Sequence, residues 1–318
     1  MNAIQPLDPS VTVYQADQSP VVVYLATRLK SVQGRRTMRQ ALNTIAVLLG
    51  APEVLPDPAL SIPWHALRYQ HTAALAARLS ETYAPATTNK MMSALRGVLK
   101  EAWRLGQMDA EDYQRAVDIQ QEKLKAQDAA AGRALTAGEV LALVQTCKAD
   151  RRSAGQRDAA LIGVLYFGLR RAEVVALNLS DYRRDTGALF VKGSKGRDRT
   201  IYLTGGARMA LDVWLIERGL DAGPLFTRIR RWDAKTADRL TTQAIYTILK
   251  ERALQAGVAD FSPHDFRRTF VGELLERGAD IATVAKLAGH ASVKTTAGYD
   301  RRGEESKKKA AELLHYPF

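Results

Sequence analysis

The sequence predicts a mainly helical chain with one small β-hairpin in its C-terminal part, an α+β fold in two units. Three observations carry this. Apolar residues recur at helical spacing through most of the chain. One pair of short, β-rich runs flanks a glycine-bounded turn between residues 187 and 203. An alanine-rich stretch with little amphipathic pattern, Ala126 to Leu135, separates two patterned halves. The expected units are residues 15–125 and 136–318, with 126–135 as the linker.

In the first unit, Val21 to Leu49 contains no proline and carries apolar residues at helical spacing, so it reads as helix. Pro52, Pro56, Pro58 and Pro63 mark a connecting loop. A second helix is expected from Trp64 to Thr82 and a third from about Thr88 to Leu105. On the third, Met91, Leu95, Val98, Leu99 and Ala102 form an apolar stripe. Arg96, Lys100 and Arg104 repeat every four residues on another face, either as a solvated surface or as a row facing phosphates.

The second unit opens with a capping box, Thr136-Ala-Gly-Glu139, ahead of Val140, Leu141, Leu143 and Val144. The expected hairpin pairs Gly187 to Lys192 with Arg199 to Leu203 across Gly193-Ser-Lys-Gly196. The remaining segments read as helices.

The formal net charge is +12, and it is uneven. Residues 1–130 carry 14 Lys and Arg against 12 Asp and Glu, while residues 131–318 carry 32 against 22. A basic surface favours phosphate-rich partners through counterion release, and the second unit is expected to face them. Charge alone does not separate DNA from RNA or from an acidic membrane. No run of eighteen apolar residues exists, and Met1 to Asp17 lacks the basic and apolar regions of a signal peptide. The expectation is a protein that stays in the cytoplasm where it is made.

Cys147 is the single cysteine, set in an apolar pattern; it reads as a buried thiol, with a catalytic thiol as the alternative. No Gly-x-x-x-x-Gly-Lys-Ser/Thr loop, His-Glu-x-x-His motif or cysteine cluster is present. No cofactor or metal is therefore expected, and chemistry on phosphate esters is left to cationic side chains.

Four local patterns qualify. In Ser262-Pro-His-Asp-Phe-Arg-Arg, Ser262 suits an N-cap and Pro263 the first helical position. His264 and Arg267 then share one face of the first turn, where an imidazole and a guanidinium meet an anion-favouring helix end. Arg170, in Gly168-Leu-Arg-Arg-Ala-Glu173, should project from a tight turn after the apolar run Ala159 to Phe167. Leu287-Ala-Gly-His290 is followed nine residues later by Tyr299, with Ser292 able to cap a short helix between. Lys192 ends the first hairpin strand, with Lys195 as a nearby competitor.

In order and spacing these segments resemble the phage integrase family, the tyrosine recombinases. The resemblance rests on the Gly-Leu-Arg-x-x-Glu box, the hairpin lysine, His-x-x-Arg, Leu-x-Gly-His and the following tyrosine, all in order over about 130 residues. It implies a helical core-binding domain followed by a tyrosine-recombinase catalytic domain. It also implies a catalytic set of Arg170, Lys192, His264, Arg267, His290 and Tyr299, with Lys195, Arg268 and the Arg96–Lys100–Arg104 row meeting DNA. Arg268 stands where many relatives carry histidine, and Phe266 where leucine is common.

The resemblance implies site-specific cleavage and rejoining of double-stranded DNA through a 3′-phosphotyrosine, and integration, excision or resolution of a mobile element. It further implies a homotetramer on two duplexes, a bacterial, nucleoid-associated location, and a tail from Gly303 to Phe318 that docks on a neighbouring protomer. The alternatives are relaxation of a single duplex, as in type IB topoisomerases, and a DNA-binding regulator without catalysis.

Overall fold

The computed structural model describes residues 18–123, 132–193 and 196–300, and within the tail residues 303, 308, 311, 312 and 314. The chain divides into two compact units, Met1–Ala131 and Gly132–Phe318. The expected linker thus falls partly, at residues 126–131, outside the described residues, as do Lys195 and most of the tail helix expected after Gly303.

The first unit is built from α1 (Pro20–Thr27), α2 (Val32–Leu48), α3 (Tyr69–Thr82), α4 (Pro85–Arg104) and α5 (Ala110–Val117). The single helix expected over Val21–Leu49 is two helices. Ser31 breaks it: its Oγ accepts a hydrogen bond from the Gly34 amide and starts α2 afresh. The helix expected from Trp64 begins later, at Tyr69, because Trp64–Ala66 forms a 3-10 turn. That turn buries the Trp64 indole, whose Nε1 donates to the Ala59 carbonyl at 2.8 Å.

The α4 stripe of Met91, Leu95, Val98, Leu99 and Ala102 is buried against α1 and α2, as its spacing requires. Arg96 departs from the expected outward row. It is half-buried, and its guanidinium donates to the Val117 and Ile119 carbonyls at the end of α5. Arg104 is exposed and pairs with Glu101, and Lys100 is exposed.

The second unit contains α6 (Ala137–Ala149), α7 (Ser153–Tyr166), α8 (Arg171–Ala176), β1 (Tyr182–Arg183), β2 (Ala188–Val191), β3 (Arg199–Tyr202) and α9 (Gly205–Arg218). It continues through β4 (Thr227–Ile229), β5 (Lys235–Arg239), α10 (Thr242–Gln255), α11 (Pro263–Glu276), α12 (Ile281–Ala288) and α13 (Val293–Ala297). The capping box forms: Thr136 Oγ1 accepts from the Glu139 amide, and Glu139 accepts from the Thr136 amide. α7 is the central helix, buried along most of its length between α6 and α9.

β1, β2 and β3 form an antiparallel sheet in which Leu189 faces Ile201 and Phe190 faces Thr200. Leu189 and Val191 are buried while Phe190 is exposed, the period-2 signature of a half-covered sheet. A second antiparallel pair, β4 and β5, was not expected. Its strands are too polar to show an apolar alternation, and its tip is pinned where Asp233 accepts the Ser153 amide. Cys147 is buried, and burial pushes its thiol up to about 12, so it is a core thiol and no nucleophile. No helix among the described residues is long and apolar enough to cross a membrane.

Candidate active site

The site forms where the ends of α7, α11, α12 and α13 meet. Gly168 closes α7 with φ +83°, a left-handed turn that glycine adopts freely. A Cβ there would lie 2.4 Å from the Phe270 ring, so any other residue must displace that ring as well as adopt a strained backbone. The turn places Arg170 at the N-cap of α8. Its backbone amide donates to Glu173 at 2.8 Å, its Nη1 donates to the same carboxylate at 2.9 Å, and its Nη2 reaches the Gly289 carbonyl at 3.3 Å.

α11 starts at Pro263 with Ser262 as its N-cap, as expected, in a box with Asp265. The Asp265 carboxylate reaches back to the Ser262 amide and hydroxyl, at 2.8 and 3.1 Å. One turn into the helix, Arg267 is 1% exposed. It donates to the Gly168 carbonyl at 2.7 Å and to the Ala288 carbonyl, so it bridges the ends of α7 and α12. Its Nε is buried and meets no acceptor among the described residues. Burial, then the charge of Arg170, lowers the Arg267 pKa to about 10, which still leaves it cationic at neutral pH.

Gly289 ends α12 in the left-handed conformation, φ +63°, and turns the chain into His290. The His290 Nδ1 lies 2.8 Å from Thr296 Oγ1. Burial and the surrounding cations, Arg267 and Arg170 first among them, lower its pKa to about 4, so the ring is neutral at physiological pH. α13 is capped by Ser292, whose hydroxyl accepts the Lys294 amide at 3.2 Å.

Directly after α13, Tyr299 packs against the small apolar cluster of Val271, Leu275, Val284 and Ala288. Its ring stacks on His290 at 5.9 Å and 11°. Its hydroxyl lies 3.1 Å from His264 Nε2. Although part of the His264 ring faces solvent, burial of the rest and the charges of Arg267 and Arg268 hold its pKa below 6.5. The bare imidazole nitrogen at neutral pH suits a proton acceptor.

Five of the six expected catalytic residues therefore converge: Arg170, His264, Arg267, His290 and Tyr299. A groove lined by Leu169, Arg170, Arg171, Ala172, Pro263, His264 and Arg267 opens beside them. Lys192 is exposed just after β2, and among the described residues no hydrogen bond or ion pair joins it to the other five. Arg268 departs from its expected place on the DNA-facing surface. It is 8% exposed, lies 3.7 Å from Asp265, and sets its guanidinium 5.3 Å from the centre of the Tyr299 ring. Its position on the inner face of α11 decides this.

One residue escaped the sequence reading. Arg199, at the start of β3, is buried and pairs bidentately with Glu173, at 3.1 and 2.9 Å. Its Nε donates to the Leu287 carbonyl at 2.7 Å. It thus ties the hairpin to the partner of Arg170 and to the end of α12. Burial works against the Glu173 charge, but hydrogen bonds and charges from Arg199 and Arg170 outweigh it and hold the carboxyl below the usual range. The available signal was an arginine opening a β-rich run whose alternate residues are apolar.

The phage integrase family model matches residues 133–305. The chain is 35% identical to tyrosine recombinase XerA of Pyrococcus furiosus over 182 residues, covering 57% of this chain and 61% of that protein. It is 33% identical to tyrosine recombinase XerD of Caulobacter vibrioides over 233 residues, covering 68% and 70%. Against XerD of Mycobacterium tuberculosis the match spans 56% of the relative's length.

Among solved structures, the Tn1549 transposon integrase in complex with transposon right-end DNA superposes with a TM-score of 0.67 at 15% identity, covering 93% of this chain and 98% of that one. A lambda integrase tetramer bound to a Holliday junction gives 0.67 at 18% identity, covering 93% and 80%. At such identities these show a shared fold. On the family match and its relatives, the chain belongs to the phage integrase family, the tyrosine recombinases.

Proposed function

We propose that this protein is a site-specific DNA recombinase that cleaves and rejoins strands through a covalent bond between Tyr299 and a backbone phosphate. The observation that carries this reading is the His264–Tyr299 contact of 3.1 Å beside the buried Arg267. A tyrosine hydroxyl has an ordinary pKa of about 10, so it needs a base to react at neutral pH. His264, neutral there, accepts the phenolic proton as the oxygen attacks phosphorus. Negative charge builds on the non-bridging oxygens, and Arg170, Arg267 and a donating His290 stabilise it.

The bond from phosphorus to the 5′-oxygen breaks, and that oxygen takes a proton from the hairpin lysine, Lys192 or its competitor Lys195. The products are a 3′-phosphotyrosine and a free 5′-hydroxyl. Attack by a 5′-hydroxyl from a second duplex reverses the step and completes exchange. One phosphodiester replaces another, so the bond energy is kept.

The rest of the reading follows the relatives. Double-stranded DNA at a specific site is the substrate, and the exposed Lys100 and Arg104 contribute phosphate contacts from the first unit, the core-binding domain. Four protomers pair two duplexes in this reading; lambda integrase, of the same fold, is solved as a tetramer bound to a Holliday junction. The outcome in this reading is integration, excision or resolution of a mobile element in a bacterial cytoplasm, as the resemblance in sequence implies.

The test uses nicked suicide duplexes drawn from the DNA flanking the protein's own gene. The native chain should give an adduct that survives denaturation, and Tyr299→Phe, which keeps the ring stack, should give none. An adduct of equal yield from Tyr299→Phe refutes the assignment.

A further inference from the structure

Thr296 has not entered the chemistry so far, yet it sits at its centre. It is fully buried on α13, at 0% exposure. Its hydroxyl lies 2.8 Å from His290 Nδ1. Its carbonyl accepts the Tyr299 amide at 2.9 Å. One residue therefore touches both the imidazole and the turn that carries the nucleophile.

We propose that Thr296 is a positioning residue that fixes the tautomer of His290 and joins it to the seating of Tyr299. This rests on the recombinase reading above. Nδ1 is occupied by Thr296, so only Nε2 is left to meet a ligand. Burial, then the charges of Arg267 and Arg170, keeps the ring neutral, and a neutral imidazole carries one N–H. If that N–H were on Nδ1, Nε2 would turn a lone pair toward an anionic phosphate. If the Thr296 hydroxyl donates to a bare Nδ1, Nε2 carries the proton and donates to a phosphate oxygen. Only the second arrangement stabilises the charge built during attack.

The same contact makes His290 depend on α13. The Tyr299 ring stacks on the imidazole at 5.9 Å, and α13 packs on α12, the helix that His290 follows. Moving α13 away removes the nucleophile and, in the same motion, the hydroxyl that sets the tautomer. A protomer whose Tyr299 is unseated then lacks a correctly protonated His290 as well.

The experiment labels histidine with 15N in the full chain without DNA and reads the tautomer of His290 by NMR. Five histidines are present, and His290→Gln assigns the resonance. The native chain should show the Nε2–H form. Thr296→Val, close in shape but without the hydroxyl, should lose it to a mixture, while Thr296→Ser should restore it.

In single-turnover cleavage of the suicide duplex, Thr296→Val should slow adduct formation roughly 10- to 100-fold, by analogy with losing the hydrogen-bond partner of a metal-bound histidine, with Thr296→Ser within a few-fold of native. An unchanged His290 tautomer in Thr296→Val, or a serine variant as impaired as the valine one, overturns the proposal. If Tyr299→Phe forms the adduct, the recombinase reading fails instead, and the tautomer measurement still decides what Thr296 does to His290.

Discussion

Replacing Arg199 with methionine tests how the site is held in place. Both partners in the Arg199–Glu173 pair are 8% exposed, and the pair is bidentate at 3.1 and 2.9 Å. Methionine keeps much of the volume but leaves a buried carboxylate with Arg170 as its remaining cation. Breaking a buried pair from one side costs about 3–5 kcal/mol, chiefly because the other charge stays buried. The loss of the bond to the Leu287 carbonyl adds about 1 kcal/mol.

Native-state hydrogen exchange at α7 amides should report an opening free energy lower by at least about 3 kcal/mol, or roughly a 100-fold faster exchange. Adding Glu173→Gln removes the stranded charge and should recover about 1–2 kcal/mol. The deficit of the single variant should also shrink as pH falls from 7 to 5, because protonation neutralises a carboxyl whose pKa is no longer held down. In the native protein the sign is opposite. The depressed Glu173 pKa stabilises above its ordinary range, and that contribution is lost as pH falls through the folded value. A cost below about 1 kcal/mol, or a double variant no better than the single one, would show that this network does not organise the site.

Gly289→Ala forces a non-glycine residue to φ +63° and sets a Cβ 2.9 Å from the Arg199 guanidinium; thermal unfolding should show a loss of about 1–3 kcal/mol. His290 is lowered from 6.5 to about 4, so the unfolded chain binds more protons between those values and stability should decline as pH drops through that window. Denaturation midpoints of the native chain and His290→Gln should converge above pH 7 and diverge toward pH 4.5, and parallel curves would contradict the assignment. Arg268→Met removes the guanidinium from the Tyr299 ring, a contact worth about 1–2 kcal/mol, and from the Asp265 carboxylate 3.7 Å away; it should appear as a several-fold more mobile Tyr299 in NMR relaxation while DNA affinity stays near native. Cys147, with a thiol pushed up to about 12, should resist a disulfide reagent at pH 8 until the protein unfolds.

Much of this protein is legible in local sequence, because local sequence carries local physics. The Thr136–Glu139 box, the α4 stripe and the alternation of Leu189, Phe190 and Val191 each state which face is buried without reference to anything distant. The Arg170, His264, Arg267 and His290 boxes sit on helix ends and turns that glycine, proline and capping residues announce. Tyr299 has no such signature, and only the resemblance in order and spacing singles it out.

Tertiary structure alone decided where the charged side chains went. A helical period treats Arg96, Lys100 and Arg104 alike, yet Arg96 turns inward to carbonyls more than twenty residues away. Arg268 is buried against the Tyr299 ring, and Arg199 pairs with a carboxylate from another element. Arg267 reaches a carbonyl 99 residues earlier in the chain, and His264 meets a hydroxyl 35 residues later. Whether an arginine meets water, a carbonyl or a carboxylate depends on which distant backbone is packed against it, and no local pattern encodes that.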